Sequence, residues 1–177
     1  SLGDHDVTVQ GREINFNGVS DAGNASITNS TDKVLENYKL VKGVKVGGTY
    51  KRTQGSIINF NDESSAKNAT ISNESTSNIN FNDTSTAGSS KITNGGNLAF
   101  TGTATADNAT ISNNITTEPD NSTHDDSRID ISGLSADGVS IGSLSGSGKI
   151  DLGSKNLTVG NLNQNDTISG VIEDGGN

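Results

Sequence analysis

The sequence predicts an all-β chain built as a solenoid of short stacked strands, and three observations carry that reading. One pattern recurs: Ile58, Ile79 and Leu98 each open an apolar-x-Phe triplet ending at Phe60, Phe81 and Phe100, and Ile71, Ile92 and Ile111 follow each opening residue at an offset of 13. Ala66, Ala87 and Ala106 stand five before those isoleucines, and Asn73, Asn94 and Asn113 stand two after. Second, the apolar residues alternate with polar ones, which puts them on one face of a strand, and no helical period competes. Third, the intervening segments are rich in Asn, Asp, Ser, Thr and Gly, the turn-forming residues, and Pro119 is the single proline, leaving backbone donors free for strand ladders.

The repeat spacing is 21 residues from Ile58 to Ile79 and 19 from Ile79 to Leu98. Self-similarity at that period is a solenoid signature. Only 28% of residues are apolar and 3% aromatic, thin for a compact globule but enough where neighbouring rungs supply one another's burial.

The first copy of the pattern is Ile14, Phe16, Ala22, Ile27 and Asn29, preceded by the alternating Val7 and Val9. Ile58 lies 44 residues after Ile14, a distance that predicts about two rungs. Between them, Lys33 to Arg52 holds six basic residues against Glu36, so this stretch carries 6 − 1 = +5 and the rest of the chain −9 − 5 = −14. Two readings stand for it: an irregular rung with a solvated hairpin, or a basic protruding element that meets an anionic partner such as a sulfated glycan or a receptor surface. On the second reading the partner-binding candidates are Lys33, Tyr38, Lys39, Lys42, Lys45, Tyr50, Lys51 and Arg52.

The regular array from Ile58 to Asn113 predicts an amide ladder through Asn29, Asn73, Asn94 and Asn113. After it, Thr116 to Ser127 breaks the period with Glu118, Pro119, Asp120, His124, Asp125 and Asp126, predicting an extra loop of about ten residues whose clustered acids read as solvated rather than metal-binding. Alternation resumes with Ile129/Ile131, Val139/Ile141, Ile150/Leu152 and Leu157/Val159, punctuated by glycines. The whole of 1–177 reads as one domain with insertions near 33–52 and 116–127.

Two stretches resemble the passenger domains of bacterial autotransporters, the type V secretion proteins. Asn68-Ala69-Thr70-Ile71-Ser72-Asn73, Asn108-Ala109-Thr110-Ile111-Ser112-Asn113 and Thr86-Ala87-Gly88 are similar to the AGNATITN repeats of large passengers. The run Leu157-Thr158-Val159-Gly160 followed by Thr167-Ile168-Ser169-Gly170-Val171-Ile172 is similar to the passenger-associated repeat, with Ile168 where that repeat often has Phe and Asn161 where glycines are frequent. The resemblance implies a right-handed parallel β-helix with about 20 residues and three short strands per rung, about nine rungs and ~40 Å long. It also implies export by a C-terminal translocation barrel in the full-length precursor, an extracellular or cell-surface location, and action as an adhesin, toxin, protease or esterase.

The residues narrow that range. The net charge of −9 argues against a nucleic-acid partner, and the absence of cysteine removes disulfide, thiolate and Cys-zinc chemistry. No signal peptide or long apolar run is present, and the start at Ser1 without Met reads as a processed or excised fragment. No Gly-Asp-Ser-Gly string occurs, and Leu144 takes the nucleophile place in Gly142-Ser143-Leu144-Ser145-Gly146. The only histidines, His5 and His124, lie among acids in predicted loops. Asp130 and Asp151, 21 residues apart, are predicted to stack facing outward near Arg128, Lys149 and Lys155, as a solvated ion-paired face or as the acids of a carbohydrate-active β-helix. A Thr-x-Thr ice-binding array is absent, since Thr103-Ala104-Thr105 stands alone. The Asn-x-Ser/Thr triplets at Asn24, Asn68, Asn108 and Asn156 read as turn and ladder residues.

The expectation is therefore a non-enzymatic, cofactor-free virulence or adhesion module that binds a host-cell surface protein receptor or an anionic glycan through loops on a rigid rod. The alternatives are a carbohydrate-active enzyme and a structural stalk for a domain elsewhere.

Overall fold

The computed structural model describes residues 1–36, 39–42, 44–46, 49–117, 123–124 and 126–174; for 34–36, 41, 44–45, 49–53, 117 and 123–124 it describes the backbone alone. Among the described residues there is no helix, and most strands join two parallel sheets. The first sheet stacks Asp6–Gln10, Ser26–Ser30, Thr70–Asn73, Lys91–Asn94, Thr110–Asn113 and Ser143–Ser145. The second stacks Glu13–Phe16, Ile57–Phe60, Asn78–Phe81, Asn97–Phe100, Arg128–Asp130, Lys149–Asp151 and Ile172–Glu173. The chain alternates between them and returns each time one neighbour further on, an arrangement compatible with a β-solenoid.

Register follows the repeat. Ile14, Ile58, Ile79, Leu98, Ile129, Ile150 and Ile172 are successive partners in the second sheet. Ile27, Ile71, Ile92, Ile111 and Leu144 do the same in the first. Because side chains alternate between faces, a one-residue slip would turn the buried members of both columns out to water, so the apolar pattern fixes the pairing; Ile172, at the end of its column, is already exposed.

Three of the sequence-based expectations are corrected. The 44 residues between Ile14 and Ile58 make one layer, because the two are direct partners. The longer sheet has seven strands, which at about 4.8 Å apiece gives a stack roughly 30 Å tall instead of nine rungs and ~40 Å. A third strand per repeat is mostly reduced to single bridges, Asp21 to Ser65 to Thr86 to Thr105, and becomes a true pair only where Gly138–Ile141 meets Asn156–Val159.

The interior is filled by columns of like residues. Phe16, Phe60, Phe81 and Phe100 stack with ring centroids 4.6, 4.7 and 5.0 Å apart, close to the strand spacing that imposes them. Ala22, Ala66, Ala87 and Ala106 are fully buried where the chain turns in tightly. The predicted amide ladder is present: Asn29, Asn73 and Asn94 each donate Nδ2 to the Oδ1 of the next asparagine, at 2.7, 2.7 and 2.8 Å. The same amides also reach the carbonyls of Asn78 and Arg128 at the start of second-sheet strands, so the ladder ties both sheets together.

Candidate functional site

Both departures from the repeat leave the stack at one corner, the turn that leads from the first sheet to the second. In the regular layer that turn runs Asn73-Glu74-Ser75-Thr76-Ser77-Asn78. In the layer before, the corresponding places are filled by Asn29-Ser30-Thr31 and then Gly55-Ser56-Ile57. The Thr31 hydroxyl donates to the Ser75 carbonyl, and the Ser56 N–H donates to Ser77 Oγ at 3.1 Å. Gly55 crosses so close beneath Thr76 that a Cβ there would overlap its carbonyl. Residues 32 to 54 are therefore a clean insertion: removing those 54 − 31 = 23 residues reduces the 44-residue step to the regular 21.

The insertion is two nested antiparallel pairs, Asp32–Glu36 with Thr49–Gln54 and Lys39–Val41 with Val44–Val46. It brings most of the sequence-predicted site residues onto one hairpin. Lys33 is the partner of Arg52, Val34 of Lys51, Leu35 of Tyr50 and Leu40 of Lys45. The backbones of Lys45, Tyr50, Lys51 and Arg52 lie in these strands, whereas Tyr38 lies outside the described residues. At the hairpin's far end Lys39 and Lys42 are exposed, and so are the apolar Leu40 at 66% and Val46 at 51%. At its base Lys33 lies 4.0 Å from Glu74 of the next layer.

The second departure follows Thr110–Asn113. Thr116–Thr117 pairs antiparallel with Thr123–His124, and the chain rejoins the second sheet at Arg128, the direct partner of Asn97. Of the predicted loop, Glu118, Pro119, Asp120 and Asp125 lie outside the described residues. The hairpin and this loop arise three layers apart, about 14 Å along the stack. Between their bases lies a cleft of about 260 Å³, floored by the short turns at Glu74-Ser75 and Gly95 and walled by Lys33, Ile115 and Thr116.

The turns that floor the cleft are unequal in length. Asn73 to Asn78 is a step of five, but Asn94 to Asn97 is a step of three, with Gly95 and Gly96 between. That loss of two residues is why one repeat measures 19 instead of 21. A Cβ on Gly95 would overlap Thr116 Oγ1, so the missing side chain lets the loop base close over the floor. The sequence carries this signal only in the shortened step and the Gly-Gly pair.

Asp130 and Asp151 do stack as direct partners, with Glu173 next in the column. The expectation of a solvated face fails at Asp151, which is only 4% exposed. Arg128 covers it: Nε pairs with Asp151 Oδ2, and an Nη sits 3.1 Å from Asp130 Oδ2. Asp130 Oδ1 also accepts from the Ser132 hydroxyl at 2.6 Å and backbone N–H at 3.0 Å, and Lys149 lies 4.0 Å from Glu173. Asp130 and Asp151 are both held by Arg128, so this part of the column braces the stack, whereas Glu173 is an exposed, loosely paired end.

No family model matches the chain, and no curated protein or solved structure matches it significantly. Three places on the surface compete as the functional site: the basic hairpin, the cleft at its foot and the acid column. Arg128 closes the column at Asp130 and Asp151, which leaves the corner with its two protrusions.

Proposed function

We propose that the chain is a right-handed parallel β-helix of about 20 residues per rung from the passenger of a bacterial autotransporter. It acts outside the cell or on its surface as a non-enzymatic adhesion module, contacting a host-cell receptor or an anionic glycan. The observation that carries this reading is the hairpin. Its insertion of 23 residues leaves the stack on either side in register, so the repeat's own packing does not call for it.

Residues 32 to 54 carry six basic and two acidic residues, +4, on a chain whose remainder is −9 − 4 = −13. A basic projection on an acidic rod steers anionic partners to one place and orients them. Exposed Leu40 and Val46 beside Lys39 and Lys42 add apolar area to the charged contact, the combination that gives a protein or glycan surface more than a salt-labile hold. The bracing of Asp130 and Asp151 by Arg128 supports a non-enzymatic role over the carbohydrate-active alternative.

The test is binding of the purified chain to heparin and to cultured host cells across a range of salt. Wild type is expected to bind with an affinity that falls as ionic strength rises. The triple variant Lys39→Glu, Lys42→Glu, Lys45→Glu is expected to lose at least about tenfold in affinity, on the scale of several charge contacts. Equal binding by the two proteins would remove the hairpin as the contact.

A further inference from the structure

We propose that the cleft at the foot of the hairpin is a second binding site, separate from the hairpin's own contact, and that it takes one neutral hexopyranose unit of a glycan. Among the described residues, most of its lining is Ser, Thr and Asn, whose side chains both donate and accept hydrogen bonds. Ser72 and Thr93 are direct partners in the first sheet, and both are exposed at the edge of the cleft. Asn114 is exposed beside them, and Ser75 lies in the floor with a fully buried hydroxyl that has no hydrogen-bond partner. Ile115 is the single aliphatic side chain among the described residues of the lining.

A sugar ring matches that inventory. Its hydroxyls donate and accept in turn along the Ser72, Thr93 and Asn114 side, and its C–H face rests on Ile115. Other ligand classes fit less well. Among the described residues of the lining Glu74 is the only carboxylate, and its charge is offset by Lys33 at 4.0 Å, so these residues favour neither a metal ion nor an anion. An added peptide strand needs an open sheet edge, but Thr70–Asn73 and Lys91–Asn94 are each paired on both sides. The volume, about 260 Å³, falls just below the range of roughly 300–1,000 Å³ that holds drug-sized ligands, which suits one ring better than an extended chain.

The experiment is saturation-transfer NMR and calorimetry with the methyl glycosides of glucose, galactose, mannose and N-acetylglucosamine. At least one is expected to bind, at about millimolar Kd. Thr93→Trp, an outward strand position where an aromatic is well tolerated, fills the cleft and is expected to weaken binding at least about tenfold. Thr8→Trp, in the same outward column two layers beyond the cleft, is expected to leave it within about twofold. The hairpin variant Lys39→Glu, Lys42→Glu, Lys45→Glu is expected to keep full sugar binding, so loss of heparin binding and loss of sugar binding report on different sites. The proposal is overturned if none of the four sugars binds, if Thr93→Trp binds as wild type does, or if only sulfated oligosaccharides compete for the cleft.

Discussion

Asn73 donates its side-chain amide to Asn94 at 2.7 Å, inside a core where Asn94 is fully buried, and Asn94 in turn donates to Asn113 at 2.8 Å. The link is directional, each amide nitrogen pointing one layer on, and it also reaches the Gly96 and Arg128 carbonyls. Asn94→Ala breaks the ladder at its middle and is expected to destabilise the chain by about 2–4 kcal/mol, from a small cavity plus the unpaired Asn113 Oδ1. Asn94→Asp keeps the shape but removes every donor and buries a charge, so it should be the less stable of the two at neutral pH. Urea unfolding of both variants checks the order, which should narrow as pH falls and the new carboxyl protonates.

The phenylalanine column gives a positional prediction. Phe81 is stacked on both sides and fully buried, whereas Phe16 ends the column and is 7% exposed. Phe81→Ala is expected to cost about 3–5 kcal/mol. Phe16→Ala should cost distinctly less, since one side of the ring has no stacked neighbour to lose. Thermal or chemical denaturation of the pair measures the difference.

How far these features could be read beforehand depended on whether they repeat. Ile58, Phe60, Ala66, Ile71 and Asn73 declare their places because the same offsets return at Ile79 and Leu98, and stacking requires like residues in line. The 44-residue gap misled for the same reason: a multiple of the period looks like two rungs, and a hairpin of nearly one period's length is invisible to spacing. What exposes the hairpin is the match of Thr31, Gly55 and Ser56 to Ser75, Thr76 and Ser77, which needs the paired turn as a ruler. The burial of Asp151 was not legible, because alternation says only that it points away from the core. It does not say that Arg128, from the neighbouring strand, lies across it. The cleft lies over unequal turns, one of them shortened at Gly95-Gly96, between two insertions, and such a hollow has no residue pattern of its own.

Arg128 holds the acid column together. Replacing it by leucine leaves Asp151 almost wholly covered with no cation beside it and Asp130 as its direct partner. The expected loss is about 2 kcal/mol, below the usual figure for a broken buried pair because Arg128 itself is 46% exposed. The double variant Arg128→Leu, Asp151→Leu should recover part of that loss, read as the coupling term of a double-mutant cycle.

Acid conditions should be felt at Asp21. The hydrogen bond from Ser1 and the nearby Lys67 ammonium, 3.5 Å away, hold its carboxyl below the ordinary value of 3.8. A depressed folded value means stability that is present above the unfolded value and lost as pH falls through the folded one. Asp21→Asn should therefore lower stability slightly at neutral pH and make no difference at the acid end. Carbon-detected NMR titration of the Asp21 carboxyl gives the direction, and Lys67→Ala should move it back upward.

The central claim is that residues 32 to 54 are a functional insertion in a self-sufficient stack, and deleting them tests it most directly. Joining Thr31 to Gly55 leaves a turn of the same length as Asn73 to Asn78 and a step of 21 residues between Ile14 and Ile58. The account predicts an unchanged β-sheet circular dichroism spectrum and a Tm within about 5 °C of wild type, since loop length itself costs little. It predicts that salt-sensitive binding to heparin and host cells is lost. A deletion variant that fails to fold, or one that folds and still binds as wild type does, would contradict it.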